Sequence, residues 1–190
     1  MNVLIVVVLF VAEFHCSELL LAVWRRRKSG KVTWRNALVS GPLLLAYCLA
    51  AMEFVVGRRV VPYTVQATGV GMMVLGECIR KMAVITAGQS FSHQIVEVRQ
   101  SPEHRLVTHG IYGYHRHPSY VGYFVFVIGS MVALGNWICA ALFGWVLYIF
   151  FDRRLAFEEA TLQKRFPEWQ AYSRRVGCFP FHTYCCKVGE

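Results

Sequence analysis

A short polar string, Arg116-His117-Pro118-Ser119-Tyr120, stands immediately before an apolar stretch and has the residue types of an anion-binding helix start. Proline suits the first turn of a helix, because its missing N–H would have no partner there. His117 would then cap the helix. The backbone amides of Ser119 and Tyr120 would attract an anion, such as the carboxylate of an amino-acid-like cofactor. The alternative is an ordinary membrane boundary with Tyr120 as an interfacial aromatic residue.

A second polar group follows the last apolar stretch, in the strings Asp152-Arg153-Arg154 and Glu158-Glu159. Arg154 and Glu158 are four residues apart, so they share one face of a helix. In one interpretation they form an exposed ion pair at the membrane rim. In the other, Arg154 holds a substrate carboxylate while Glu158 binds a cationic group.

Four histidines, His104, His109, His115 and His117, invite comparison with a metal site. Zinc sites combine such ligands with Cys or carboxylate groups at recognisable spacings. No such spacing accompanies these histidines, and their segment has the glycines of a loop. The sequence therefore predicts no metal.

Five largely apolar stretches contribute most of the 56% hydrophobic content. They are Met1 to Trp24, Ala37 to Val56, Tyr63 to Ile79, Pro118 to Leu134 and Trp137 to Phe151. Helices of about 17–25 residues match the roughly 30 Å hydrocarbon layer of a membrane. The sequence predicts an all-α integral membrane protein with about five transmembrane helices.

A few small and polar residues predict how these helices pack. Gly69 and Gly76 lie on nearly one face of the third helix and would let another helix approach closely. Asn136 separates the last two stretches and predicts a tight antiparallel hairpin. His15 and Glu18, inside the first stretch, are expected either to satisfy each other or to have a functional role.

The net charge of +9 is distributed in a way that indicates topology. Lys and Arg follow the first, third and fifth apolar stretches, with Arg58 and Arg59 as the exceptions. Under the positive-inside rule these segments face the cytosol, so the charge indicates no nucleic-acid partner. Two polar segments, 80–117 and 152–190, meet on that side. The second is predicted to be a charged helix that breaks at Pro167.

Taken together, these strings resemble the isoprenylcysteine carboxyl methyltransferases. The matching strings are Gly76-Glu77-Cys78-Ile79-Arg80-Lys81, Thr86-Ala87-Gly88, Phe91-Ser92-His93, His104-Arg105-Leu106-Val107, Thr108-His109-Gly110-Ile111-Tyr112, Arg116-His117-Pro118-Ser119-Tyr120-Val121-Gly122, Arg154 and Glu158-Glu159. They follow one another in the family's order over roughly residues 75–181. The string Phe14-His15-Cys16-Ser17-Glu18 also looks like an element of eukaryotic members.

The resemblance implies a cytosolic pocket for S-adenosylmethionine, formed by the 80–117 segment and the C-terminal helices. One domain, 1–190, would comprise an N-terminal three-helix membrane part, 1–80, and a catalytic part, 81–190. Arg154 matches the family's substrate-binding arginine and is the expected catalytic residue. The family's cofactor positions fall here on Glu97, His104, Arg105, Leu106, Val107, Tyr112, His117, Pro118, Ser119, Tyr120 and Glu158. Glu97 stands where eukaryotic members typically carry Gln.

The resemblance also implies the reaction, which is methyl transfer to the C-terminal α-carboxylate of S-farnesyl or S-geranylgeranyl cysteine. The partners would be prenylated CaaX-type proteins after removal of their last three residues, together with membrane lipid. The expected location is the endoplasmic reticulum membrane, with the active site facing the cytosol. The alternatives are a phospholipid or other small-lipid methyltransferase, where a carboxylate-orienting Arg154 would be out of place, a sterol reductase, and a non-catalytic scaffold.

Overall fold

The described residues of the computed structural model, 2–25, 41–57, 60–91 and 105–181, fold into helices without any strand. The α-helices are α1 (Val3–Arg25), α2 (Gly41–Gly57), α3 (Tyr63–Ala87), α4 (Pro118–Leu134), α5 (Trp137–Arg165) and α6 (Trp169–Arg175). Two 3₁₀ turns, Gly88–Ser90 and Gly110–Gly113, accompany them. The predicted all-helical fold is confirmed.

The boundaries of α5 follow from its composition. The helix continues past the predicted end of the apolar stretch, because mostly strong helix formers follow Asp152 and no glycine or proline interrupts them before Pro167. It ends at Arg165, where Phe166 takes extended dihedral angles (φ −118°, ψ 111°). Phe166 immediately precedes Pro167, and a proline disfavours the helical region for the residue before it. The predicted break at Pro167 is confirmed, and α6 begins just beyond it.

The central helix of the described bundle is α4. None of its residues is exposed, and it contacts α1, α3 and α5. A Cβ atom on Gly76 would lie 2.5 Å from the backbone nitrogen of Phe126, and one on Gly122 would lie 2.6 Å from the carbonyl oxygen of Gly76. A Cβ atom on Gly69 would likewise meet backbone atoms of α4. The predicted close packing along Gly69 and Gly76 is confirmed.

The surface of the other long helices is strongly apolar. Leu20 is 68% exposed, Val56 76% and Trp145 66%. By length and composition, one helix in the described ranges is able to cross a membrane, and it covers Val3–Trp24. The apolar helices Leu44–Gly57 and Pro118–Leu134 are shorter. The count of about five transmembrane helices stays a prediction.

The connection between α4 and α5 is as tight as expected. Gly135 ends α4 in the left-handed conformation (φ +68°), and the side-chain amide of Asn136 donates to a backbone carbonyl of α2 at 2.8 Å. The carboxylate of Glu53, on α2, accepts the amides of Ile138 (3.1 Å) and Cys139 (2.8 Å). Since these amides belong to the first turn of α5, Glu53 caps that helix from a neighbouring one.

His15 and Glu18, on α1, each have a polar partner on another helix. The Nε2 atom of His15 lies 2.8 Å from the hydroxyl of Tyr47 on α2. Glu18 is fully buried and binds Arg80 on α3. Packing against α2 and α3 therefore gives each of these side chains a partner outside α1.

Candidate active site

The site is built around the first turn of α4. Pro118 is the first helical residue and His117 the N-cap, as predicted, with φ −130° and ψ 57°. These dihedral angles lie outside the helical region, which a residue before proline avoids. The side chains of His117, Ser119 and Tyr120 each meet a different charged partner on α3 or α5.

Tyr120 joins the two residues that the sequence singles out on α5. The Nε–H group of Arg154 donates to the Tyr120 hydroxyl at 2.8 Å, and that hydroxyl donates to Oε2 of Glu158 at 2.8 Å. The Arg154 guanidinium carbon also lies 5.8 Å from the centroid of the Tyr120 ring. All three residues are half-buried. One hydroxyl group therefore holds both Arg154, a cation that can bind a carboxylate, and Glu158, a carboxylate that can bind a cation.

The adjacent carboxylate, Glu159, was not among the predicted site residues. It is 1% exposed, and its Oε1 atom lies 3.0 Å from Nε2 of His117 and 3.3 Å from Nε of Arg116. A buried carboxylate needs such partners, because an unpaired charge is costly to bury. The two neighbouring carboxylates have different partners at the start of α4: Glu159 contacts His117, and Glu158 accepts from Tyr120. Two consecutive acidic residues on one helix were the available signal.

Arg116 ties α6 and the segment that follows it to the start of α4. Its backbone amide donates to the carbonyl of Gly177 at 3.0 Å. Its guanidinium reaches the sulfur of Cys178, a disulfide-bonded residue, at 3.1 Å. The guanidinium carbon also lies 5.8 Å from the ring centroid of Trp169. The site is therefore closed on this side by α6 and residues 176–181.

His115 supports the turn into α4 through both ring nitrogens. Nδ1 accepts the backbone N–H of His117 at 2.9 Å, and Nε2 contacts the carbonyl oxygen of Phe179. This pattern assigns the ring proton to Nε2, because the carbonyl can only accept. Burial lowers the pKa of His115, and the nearby His117 and Arg116 lower it further, against the contact with the Phe179 carbonyl. The neutral ring therefore fits the hydrogen bonds that it makes.

The predicted residues of the 105–112 segment lie between α3 and α6. The Tyr112 hydroxyl donates to the carbonyl of Ala83 at 3.3 Å, and the Tyr172 hydroxyl donates to the carbonyl of Tyr112 at 2.7 Å. Burial raises the pKa of Tyr172 to about 12. Leu106 packs against the cluster of Trp169, Tyr172 and Val176. This part of the chain is joined to the α4 turn through α6.

The remaining predicted residues of this segment are placed more loosely. The backbone amide of Arg105 donates to the Ser90 hydroxyl at 3.2 Å, and Val107 is half-buried. Glu97 and His104 lie outside the described residues. Within the described ranges, no group of three or more His, Cys, Asp and Glu residues could hold a metal ion.

The side chains of Pro118 and Ser119 are both buried. Pro118 is fully buried. Ser119 is 5% exposed, and its hydroxyl and carbonyl oxygens accept hydrogen bonds from Nη1 of Arg80 at 2.8 and 3.2 Å. A contact of Ser119 with a cofactor would therefore have to use its backbone amide. Of the two amides predicted to attract an anion, that of Tyr120 donates to the carbonyl of His117 at 3.2 Å.

The sequence of this bundle matches a known family. Residues 69–164 match the model of the "Isoprenylcysteine carboxyl methyltransferase (ICMT) family". The chain is 37% identical over 169 residues to protein-S-isoprenylcysteine O-methyltransferase B of Arabidopsis thaliana, covering 86% of this chain and 85% of the relative. It is 45% identical over 111 residues to protein-S-isoprenylcysteine O-methyltransferase of Mus musculus, covering 58% of this chain and 39% of the relative.

The fold matches a solved structure as well. The structure of the eukaryotic intramembrane Ras methyltransferase ICMT aligns with a TM-score of 0.83 and 31% sequence identity. The alignment covers 90% of this chain and 64% of the solved one, so this chain spans somewhat less than two thirds of that protein. Sequence and structure agree, and the chain belongs to the isoprenylcysteine carboxyl methyltransferase family.

Proposed function

We propose that this protein transfers a methyl group from S-adenosylmethionine to the C-terminal α-carboxylate of an S-prenylated cysteine, giving a methyl ester. The observation that carries the proposal is the joint binding of Arg154 and Glu158 by the Tyr120 hydroxyl. It holds a carboxylate-binding group beside a cation-binding group at the start of the central helix. Relatives named protein-S-isoprenylcysteine O-methyltransferase support this reading of the site.

The chemistry of the residues fits S-adenosylmethionine, which supplies an activated methyl group when bound. Its amino-acid end carries a carboxylate, which the Ser119 amide at the N-terminus of α4 would attract. Its ammonium and sulfonium groups are cations, for which the Glu158 carboxylate and the Tyr120 ring are suitable partners. Glu158, Tyr120 and the backbone of Ser119 would therefore hold the cofactor, with the 105–112 segment beside them.

Arg154 would bind and orient the acceptor carboxylate. This acceptor is already ionised near neutral pH, so the reaction needs no general base from the protein. Positioning of the two reactants can then supply much of the catalysis. The Tyr120 hydroxyl limits the freedom of the Arg154 side chain by accepting its Nε–H. Arg154 thereby becomes a fixed anchor for a planar carboxylate.

The substrate class favours a membrane location. A prenyl chain partitions into lipid, with roughly 0.8 kcal/mol for each buried CH₂. In the proposed topology α1 to α4 and the first part of α5 cross the membrane, and the basic segments after α1, α3 and α5 face the cytosol. The exposed apolar side chains of the long helices support this arrangement. The site would then open to the cytosol, in the endoplasmic reticulum, for CaaX-type proteins that have lost their last three residues.

The proposal is tested by transfer of labelled methyl from S-adenosylmethionine to N-acetyl-S-farnesylcysteine by purified protein in lipid. Formation of a base-labile methyl ester is expected. Arg154→Ala should remove most turnover and leave cofactor binding largely intact. Arg153→Ala is the matched control, because Arg153 is the exposed neighbour on α5.

Two results would contradict parts of the proposal. Loss of cofactor binding in Arg154→Ala, or full turnover without this side chain, would refute the role of Arg154. Cofactor binding by the wild-type protein without methylation of the prenylcysteine would point to another acceptor. Phosphatidylethanolamine would be tested next, as the substrate of the phospholipid methyltransferase alternative.

A further inference from the structure

A buried ion pair links α1 to α3 beside the proposed site. The Nε and Nη2 atoms of Arg80 lie 2.8 and 3.0 Å from the two carboxylate oxygens of Glu18. Arg80 is 4% exposed and Glu18 is fully buried. The guanidinium carbon also lies 5.8 Å from the ring centroid of Phe14 and 5.6 Å from that of Tyr123. Glu18 and the two rings therefore hold the Arg80 side chain in one orientation.

The third nitrogen of the same guanidinium reaches the first turn of α4. Nη1 of Arg80 donates to the hydroxyl of Ser119 at 2.8 Å and to its carbonyl oxygen at 3.2 Å. Ser119 lies between Pro118 and Tyr120, so this contact fixes the position and rotation, relative to α3, of the turn that carries Tyr120. The pair thus connects α1 with the position of the reacting groups.

Stability alone gives a weak reason for this pair. Removing two charges from water is expensive, and replacing a buried pair by apolar residues of similar volume is often neutral or stabilising. An arginine has five N–H donors in a rigid fork, whereas a lysine ammonium is a point charge on a flexible stem. The fork can bind Glu18 along one edge and Ser119 along another, and a lysine cannot reproduce that geometry.

We infer that Arg80 is a positioning residue for the methyl-transfer reaction, and that Glu18 orients it for this role. The inference rests on the proposed function. Arg80 sets the position of the α4 N-terminus against the cofactor through Ser119, and it touches neither reactant. A misplacement of about 1 Å at a reacting centre can lower a rate by roughly a hundredfold, so small shifts of this turn are sufficient.

The test compares Arg80→Lys and Glu18→Gln with the wild type in lipid. The KM for S-adenosylmethionine is measured at saturating N-acetyl-S-farnesylcysteine and its Kd without the acceptor, with helix content and melting temperature as checks on folding. Arg80→Lys is expected to raise both constants by roughly tenfold or more while the protein stays folded. Glu18→Gln, which keeps the shape of the carboxylate, and Ser119→Ala, which removes only the hydroxyl acceptor, should show smaller shifts in the same direction.

Glu53→Gln is the matched control, because Glu53 is a helix-capping carboxylate next to the connection of α4 and α5. It should lower the melting temperature without changing KM or Kd. If Arg80→Lys and Glu18→Gln behave like this control, the pair is only structural and the inference is refuted. Should the wild type bind S-adenosylmethionine without methylating prenylcysteine, the proposed function fails and the Kd values still decide the role of Arg80. A folded wild type that binds no S-adenosylmethionine refutes both.

Discussion

Replacing Tyr120 by Phe removes the hydroxyl that joins Arg154 to Glu158 and keeps the aromatic ring in place. Two hydrogen bonds of 2.8 Å are lost, and each has a charged partner. Hydrogen bonds to charged groups contribute about 1.5–3 kcal/mol each. Both partners are half-buried, so water replaces part of what is lost. We therefore expect a net effect of about 2 kcal/mol on transition-state stabilisation, which corresponds to roughly a thirtyfold fall in kcat/KM.

The assay measures kcat/KM for N-acetyl-S-farnesylcysteine and for S-adenosylmethionine separately. Both values should fall in Tyr120→Phe, because the hydroxyl orients the anchor proposed for the acceptor and the carboxylate proposed for the cofactor. Tyr123→Phe is the matched control, since it makes the same change one turn further along α4. A Tyr120→Phe enzyme within about threefold of the wild type, below 1 kcal/mol, would refute the role given to this hydroxyl.

Two further predictions concern stability. Gly76→Ala should destabilise the protein by roughly 1–3 kcal/mol, because its Cβ would lie 2.5 Å from a backbone nitrogen of α4. Gly71→Ala places a Cβ with nothing within 4 Å, so it should leave the melting temperature in detergent unchanged or raise it, since alanine is the better helix former. Equal effects of the two substitutions would contradict the close approach of α3 and α4. Burial holds the pKa of His115 below the unfolded value of 6.5. As the pH falls, the His115 ring is therefore protonated in the unfolded chain before it is protonated in the folded protein. The free energy of unfolding that the neutral ring contributes is present above about pH 6.5 and is lost as the pH falls further. The melting temperature should therefore fall from about pH 7.5 to about pH 5.5 by more in the wild type than in His115→Asn, and an identical pH dependence would contradict this assignment.

The central position of α4 explains how one helix can serve both stability and the proposed chemistry. Gly122 and Gly129 of α4 allow α3 to approach closely, and the first turn of α4 meets charged groups from α3 and α5. Through Arg80, the same turn is also connected to α1. Substitutions deep in the bundle that shift α4 are therefore expected to change the geometry of the proposed site.

The local sequence determined the helices and the features that depend on neighbours along the chain. The bounds Pro118–Leu134 agree with the structure, because proline favours a helix start and Gly135 allows the left-handed ending. The helical repeat places Arg154 and Glu158 on one face, and both meet Tyr120. The small residues of α3 correctly indicated its close packing.

The tertiary structure decided which buried polar groups pair across the bundle. Glu18 and Arg80 are separated by 62 residues in the chain, and helical periodicity specifies a face without specifying what packs on it. The same reason accounts for Glu159, which the sequence showed only as the neighbour of Glu158. A buried charge takes the partner that packing brings within hydrogen-bond distance, so these partners were determined by how α1, α3, α4 and α5 assemble.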